Sequence, residues 1–133
     1  MIRTLLVSLL VVSTTICTSS NTDYRPWGYY TILADSTDCK IKRLVVYPHK
    51  RLSLQRHKFR AEHWIILQGE GLVTLNNQQI KIKQGSTIHV KPLDIHRVEN
   101  TGDVTLEFIE VQTGTYFGED DIERLQDDFG RTQ

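Results

Sequence analysis

The stretch LSLQRHKFRAEHW, residues 52–64, decides how this chain is read. From Leu52 to Phe59 apolar and polar residues alternate, and in a strand successive side chains point to opposite faces. Gln55, His57 and Phe59 therefore share one face, with Glu62 across the turn that follows. His96 arrives 34 positions after Glu62, on a second strand-like segment, HRVEN (96–100). Neutral imidazoles combined with carboxylate or amide oxygens suit zinc and other first-row divalent ions, and residues two apart on one strand aim into the same interior. Gln55, His57, Glu62 and His96 are thus the candidate metal ligands. Taken singly each is a weak signal, because a lone histidine on an apolar face is as readily a hydrogen-bonded core residue.

Outward from this stretch the pattern is all-β. IKRLVVY (41–47) reads as a strand that stops before Pro48, which has no N–H for the ladder. WIILQ (64–68) ends at Gly69-Glu70-Gly71, and the run from Leu72 to Leu75 leads into Asn76-Asn77, a hairpin pair that tolerates positive φ. Segments 80–83, 87–90, 96–99 and 104–112 bring the total to eight or so short strands. A closed or nearly closed sheet is the economical way to hide so many edges. Beyond Gly118, residues Ile122, Leu125 and Phe129 fall at helical spacing behind the acids Glu119, Asp120 and Asp121, so the pattern predicts a short C-terminal helix over 119–129.

At 133 residues the chain has room for one domain with a workable core. Sixteen basic residues balance sixteen acidic ones, so no global field draws it to nucleic acid or an anionic membrane. Cys17 and Cys39 are the only cysteines, which excludes a disulfide framework and a cysteine-based zinc cluster. Met1-Ile2-Arg3 followed by an apolar run from Leu5 to Cys17 and a small polar run has the layout of a secretory signal peptide. The apolar run is about half the roughly 20 residues of a membrane span, so no stable span is expected. The expected division is residues 1–22 as signal peptide or N-terminal extension and 23–133 as the domain; the alternative for the apolar run is a buried strand.

Written out, the spacing is His49, five residues, Gln55, one, His57, four, Glu62, six, Gly69, and then Gly85, ten residues, His96, three, Asn100. These are the spacings of the two cupin motifs, and the chain resembles that superfamily. RPWG (25–28), KRLVVYP (42–48), LSLQRHKFRAEHW, HRVEN and IEVQTGTYFGEDDIERL (109–125) are similar to the type II mannose-6-phosphate isomerase domain, a cupin that longer relatives carry behind a mannose-1-phosphate guanylyltransferase. The likeness runs from about Tyr24 to Leu125. It implies a cupin barrel (double-stranded β-helix) and interconversion of mannose 6-phosphate and fructose 6-phosphate. It also implies a divalent metal on Gln55, His57, Glu62 and His96, zinc first, with cobalt, manganese or iron as alternatives. The guanylyltransferase half needs a glycine-rich nucleotide loop and a large α/β domain, which the segment ahead of Tyr24 does not supply, so GDP-mannose synthesis is not expected. The expected partner is a small sugar phosphate; a homodimer paired through sheets is compatible, though no exposed stripe marks one. Location is left open, since the start suggests export and the substrate class the cytoplasm.

Aldose–ketose isomerisation needs a polariser for the carbonyl, a base and a grip on phosphate. Arg60 is the first candidate for enediolate charge or phosphate, because a planar guanidinium grips such oxygens bidentately. Lys42 is the second; the plain alternatives are a solvated turn arginine and an outward lysine on a sheet edge. Arg97 and Glu99 read as a structural ion pair, His63 as a packing residue on the opposite face from Glu62, and Trp27 and Trp64 as core. The chain departs from the resembled pattern at Phe59, where a second histidine is expected on the inward face. It departs also at His49 and at Lys91 and Leu93, which replace turn residues including glycines that enter positive φ freely. Phe59 and the secretory-looking start favour an alternative function, a cupin that binds a sugar or sugar phosphate without turning it over.

Overall fold

The computed structural model describes residues 21–132, so the reading of the apolar N-terminal run lies outside the described residues. Eleven strands account for the regular structure: β1 (Asn21–Arg25), β2 (Gly28–Asp35), β3 (Cys39–Val46), β4 (Leu54–Arg56), β5 (Arg60–Gln68), β6 (Glu70–Leu75), β7 (Gln78–Lys83), β8 (Thr87–Val90), β9 (His96–Asn100), β10 (Leu106–Gly114) and β11 (Glu123–Gln126). They form two antiparallel sheets, one of six strands in the order β1-β2-β3-β10-β5-β8 and one of five in the order β11-β4-β9-β6-β7. Apolar side chains from both sheets, among them Leu44, Trp64, Ile66 and Phe108 from one and Val73, Ile82 and Val98 from the other, make a single core, so the sheets pack face to face.

The alternation along β5 and β10 locates the site. On β5 the buried positions are Arg60, Glu62, Trp64 and Ile66; on β10 they are Leu106, Phe108, Glu110 and Gln112. Each inward row changes from apolar to polar along its length. The antiparallel register opposes Gln112 to Glu62, Glu110 to Trp64 and Phe108 to Ile66, so both polar ends fall together. On β3 the same register opposes Lys42 to Glu110. Burying apolar side chains at about 25 cal/mol per Å² fills one end of the sandwich, and the other end gathers groups that need partners.

The turns carry strain where the sequence departs from glycine. Leu93 sits at φ 70 and His49 at φ 59, each in the left-handed region that glycine enters freely and other residues enter at a cost of about 1–2 kcal/mol. The Leu93 turn is held from two sides: its N–H donates to the His57 carbonyl at 2.7 Å, and Ile95 N donates to Asn76 Oδ1 at 2.9 Å. Asn76, in the two-residue turn between β6 and β7, also donates from Nδ2 to Asp94 Oδ1. The predicted hairpin is thereby tied to the loop that presents His96.

No helix forms among the described residues, which corrects the expectation of one over 119–129. Instead β11 pairs with β4, opposing Glu123 to Arg56 and Arg124 to Gln55, and Arg56 grips the Glu123 carboxylate with two hydrogen bonds of 2.7 and 3.1 Å. An isolated helix of this length is marginal in water, and a free strand edge offers the same backbone a full ladder.

Candidate metal centre

Three elements deliver the candidate ligands: β4 and the bend after it carry Gln55 and His57, β5 carries Glu62, and β9 carries His96. Gln55 is the register partner of His96, which brings the second motif against the first. His57 Nε2 lies 3.2 Å from Glu62 Oε1, and His96 Nε2 lies 3.6 Å from Glu62 Oε2. One ligand atom from each of the three lies within 4.8 Å of the others, and all three residues are buried.

The imidazole orientations fit a metal. His57 Nδ1 donates to the Asp121 carbonyl at 2.6 Å and His96 Nδ1 to the Asp94 carbonyl at 2.9 Å, which leaves each Nε2 as the lone-pair nitrogen turned inward. His96 Nε2 is buried with no hydrogen-bond partner among the described residues. Burial pushes the His57 pKa down to about 4 against the pull of Glu62, so this ring is neutral at physiological pH. Burial opposes ionisation of Glu62, yet His96, His57 and Arg60 together hold it below its ordinary value. The result is two imidazole lone pairs and one carboxylate converging on a point, a donor set suited to zinc and its first-row neighbours. Gln55 is beside them with its amide nitrogen 3.4 Å from His57 Nε2, while its oxygen accepts from Ser53 Oγ at 2.7 Å. An amide half-turn would exchange the two atoms and present the oxygen.

Arg60 is buried rather than solvated. Its Nε donates to Glu62 Oε1 at 3.1 Å, one terminal nitrogen lies 3.2 Å from His57 Nε2, and the other has no partner among the described residues. Lys42 is likewise buried, with Nζ 2.5 Å from Glu119 Oε1 and 4.3 Å from the Tyr30 ring centre. Both border a cavity of about 60 Å³ that Gln55, Glu62 and Glu110 also line. Glu119, Ile122, Arg124 and Arg131 continue from its rim into an outer pocket of about 250 Å³. Arg25, Arg124 and Arg131 add positive charge to the inner lining, Arg25 paired with Asp23 and Arg131 with Asp127, while Glu119, Asp120 and Glu123 line the outer pocket with Arg124 and Arg131.

Several readings from sequence need revision. Phe59 is 52% exposed and stands edge-on to Tyr116 outside the cavity, because β4 ends at Arg56 and the bend at 58–59 breaks the alternation. Arg97 makes no ion pair with Glu99; it is buried and donates to the Gln126 carbonyl that β11 brings over it. The acids 119–121 do not start a helix: Glu119 pairs with Lys42, Tyr116 donates to Asp120, and Asp121 accepts from the backbone N–H groups of Lys58 and Phe59. Asp121 therefore fixes the bend that carries His57 as well as the ring itself. His63 does lie on the outer face, stacked on His89 at 4.2 Å, and both tryptophans are core. Sequence reasoning missed Glu110, Glu119, Arg25, Arg124 and Arg131; for Glu110 the signal was present, a carboxylate in the inward phase of a strand that otherwise buries Leu106 and Phe108.

Two facing antiparallel sheets with a His–Glu–His group at one end define a cupin. The fold agrees with solved structures: a double-stranded β-helix protein from Klebsiella pneumoniae (TM-score 0.69, 16% identity, 79% of this chain and 90% of that one) and oxalate decarboxylase from Bacillus subtilis (TM-score 0.73, 18% identity, 86% of this chain and 32% of that one). Within this class the chain belongs to the family described as mannose-6-phosphate isomerase C-terminal, which matches residues 14–127. The alginate biosynthesis protein AlgA of Pseudomonas aeruginosa is 44% identical over 109 residues, covering 82% of this chain. The chain corresponds to 23% of that relative's length.

Proposed function

We propose that this protein is a metal-dependent isomerase that interconverts mannose 6-phosphate and fructose 6-phosphate. One observation carries the reading: the buried His57–Glu62–His96 group, with His57 held neutral, adjoins through Glu62 a cavity that Arg60 and Lys42 also line. His57, Glu62 and His96, joined by Gln55 after an amide turn, would hold a divalent ion, zinc first. The ion would supply Lewis-acid polarisation of the substrate carbonyl, worth several kcal/mol in the transition state. Arg60 has one guanidinium nitrogen free of partners and would stabilise the enediolate oxygens. Arg25, Lys42, Arg124 and Arg131, which line the cavity, would bind the phosphate there.

The alternative of binding without turnover drew on Phe59, and the exposure of that ring outside the cavity removes this support. A coupled assay of the full chain with mannose 6-phosphate, with and without Zn²⁺, Co²⁺ or Mn²⁺, tests the reading. Turnover that requires metal and is lost in His57→Ala is the expected result. Metal binding without turnover under any of these ions would leave the binding module in its place.

A further inference from the structure

The cavity contains a carboxylate that the proposed metal centre does not use. Glu110 is buried on β10, opposed by Lys42 on β3 and Trp64 on β5, and it lines the same cavity as Arg60 and Glu62. Its Oε1 accepts a hydrogen bond from Gln112 Nε2 at 2.6 Å. Among the described residues it makes no ion pair, and no hydrogen bond to Gln55, His57, Glu62 or His96. Lys42, the cation opposite it in register, is turned to Glu119 instead.

From this arrangement we infer that Glu110 is the proton carrier of the isomerisation. The inference rests on the isomerase reading and goes beyond it by naming the base. Of the three carboxylates lining the cavity, Glu62 is engaged by Arg60 and His57, and Glu119 is ion-paired to Lys42. Among the described residues Glu110 alone of the three makes no ion pair. Burial, and then the charge of Glu62, push its pKa up against Lys42 and Arg60 in the metal-free protein.

The step balances within the substrate. The Glu110 carboxylate takes the proton from C2 of the open-chain aldose; the C2–H pair becomes the C1=C2 bond and the carbonyl π pair moves to O1. A proton passes from O2 to O1. The Glu110 carboxyl then returns its proton to C1, the C1=C2 pair forms the new C–H bond, and O2 becomes the ketone oxygen. No oxidant or co-reactant is needed. Arg60 lines the same cavity and would stabilise the oxygens on which charge develops.

The experiment uses the full, zinc-loaded chain and mannose 6-phosphate deuterated at C2, followed by NMR for ketose formation and for loss of the label to water. The wild type should turn over and release label. In Glu110→Gln the amide oxygen still accepts from Gln112, so the fold is kept, and kcat should fall by about 10²–10⁴ with KM and bound zinc unchanged. Glu110→Asp, which keeps the carboxylate but retracts it by one methylene, should lose at least about tenfold in kcat and recover part of the label exchange lost in the glutamine variant. Either variant within about threefold of wild-type kcat overturns the assignment while leaving the isomerase reading intact. An inactive wild type removes both together.

Discussion

Replacing His57 with asparagine should flatten the acid side of the metal-free protein's stability curve. In the folded state burial holds the His57 pKa at about 4, whereas in the unfolded chain it returns to about 6.5. Below about pH 6.5 the unfolded state therefore binds a proton that the folded state refuses, and stability falls as the solution is acidified. For these two values the His57 contribution lost relative to pH 7.5 is roughly 1 kcal/mol at pH 5.5 and between 2 and 3 kcal/mol at pH 4.5. Asparagine does not titrate, and its side-chain amide can donate to the Asp121 carbonyl that His57 Nδ1 now uses. Urea unfolding of chelator-treated wild type and variant near pH 7.5, 6.5, 5.5 and 4.5 measures the difference. With an m-value of about 1–3 kcal/mol per molar, the wild-type midpoint should drop roughly 0.3–1 M further than the variant's between pH 7.5 and 5.5. Comparing the two proteins cancels the groups distant from position 57, which titrate alike in both. Parallel curves, within about 0.3 kcal/mol across the range, would refute the claim that His57 is held neutral by burial.

Two further substitutions examine positions 93 and 59. Leu93→Gly relieves the left-handed backbone at φ 70 and removes a side chain that is mostly in solvent, so the strain recovered, about 1–2 kcal/mol, should exceed glycine's extra entropy cost. Scanning calorimetry should show Tm higher by roughly 1–4 °C, with zinc stoichiometry unchanged. Phe59→His should leave zinc affinity within about twofold of wild type, as for a surface substitution, because this ring lies outside the cavity. A large gain in affinity or kcat would place position 59 inside the working site.

Strand identity and the ligand types were legible because both are local properties. Thr87–Val90 is where the alternation puts it, and β3, β6, β7 and β10 differ from their expected spans by only a few residues at their ends. Gln55, His57, Glu62 and His96 converge as their spacing suggests. Phe59 went wrong for a nonlocal reason: the carboxylate of Asp121, 62 positions along the chain, captures the N–H groups of Lys58 and Phe59 and bends the segment out of strand geometry. The segment 119–129 went wrong the same way, since its helical spacing was real but the open edge of β4 was invisible from within it.

The sequence by itself determined an all-β chain with one pair of motifs whose side chains could together hold a metal, because period-two alternation and side-chain chemistry are written residue by residue. Only the tertiary structure decided what those residues face. The register of β3, β5 and β10 sets Lys42, Glu110 and Trp64 side by side, and the pairing of Lys42 with Glu119 leaves Glu110 without a cation. Water exclusion between the sheets then keeps His57 neutral and raises Glu110 toward neutrality. Register and burial are properties of strands distant in sequence, and the protonation states on which the proposed chemistry depends follow from them.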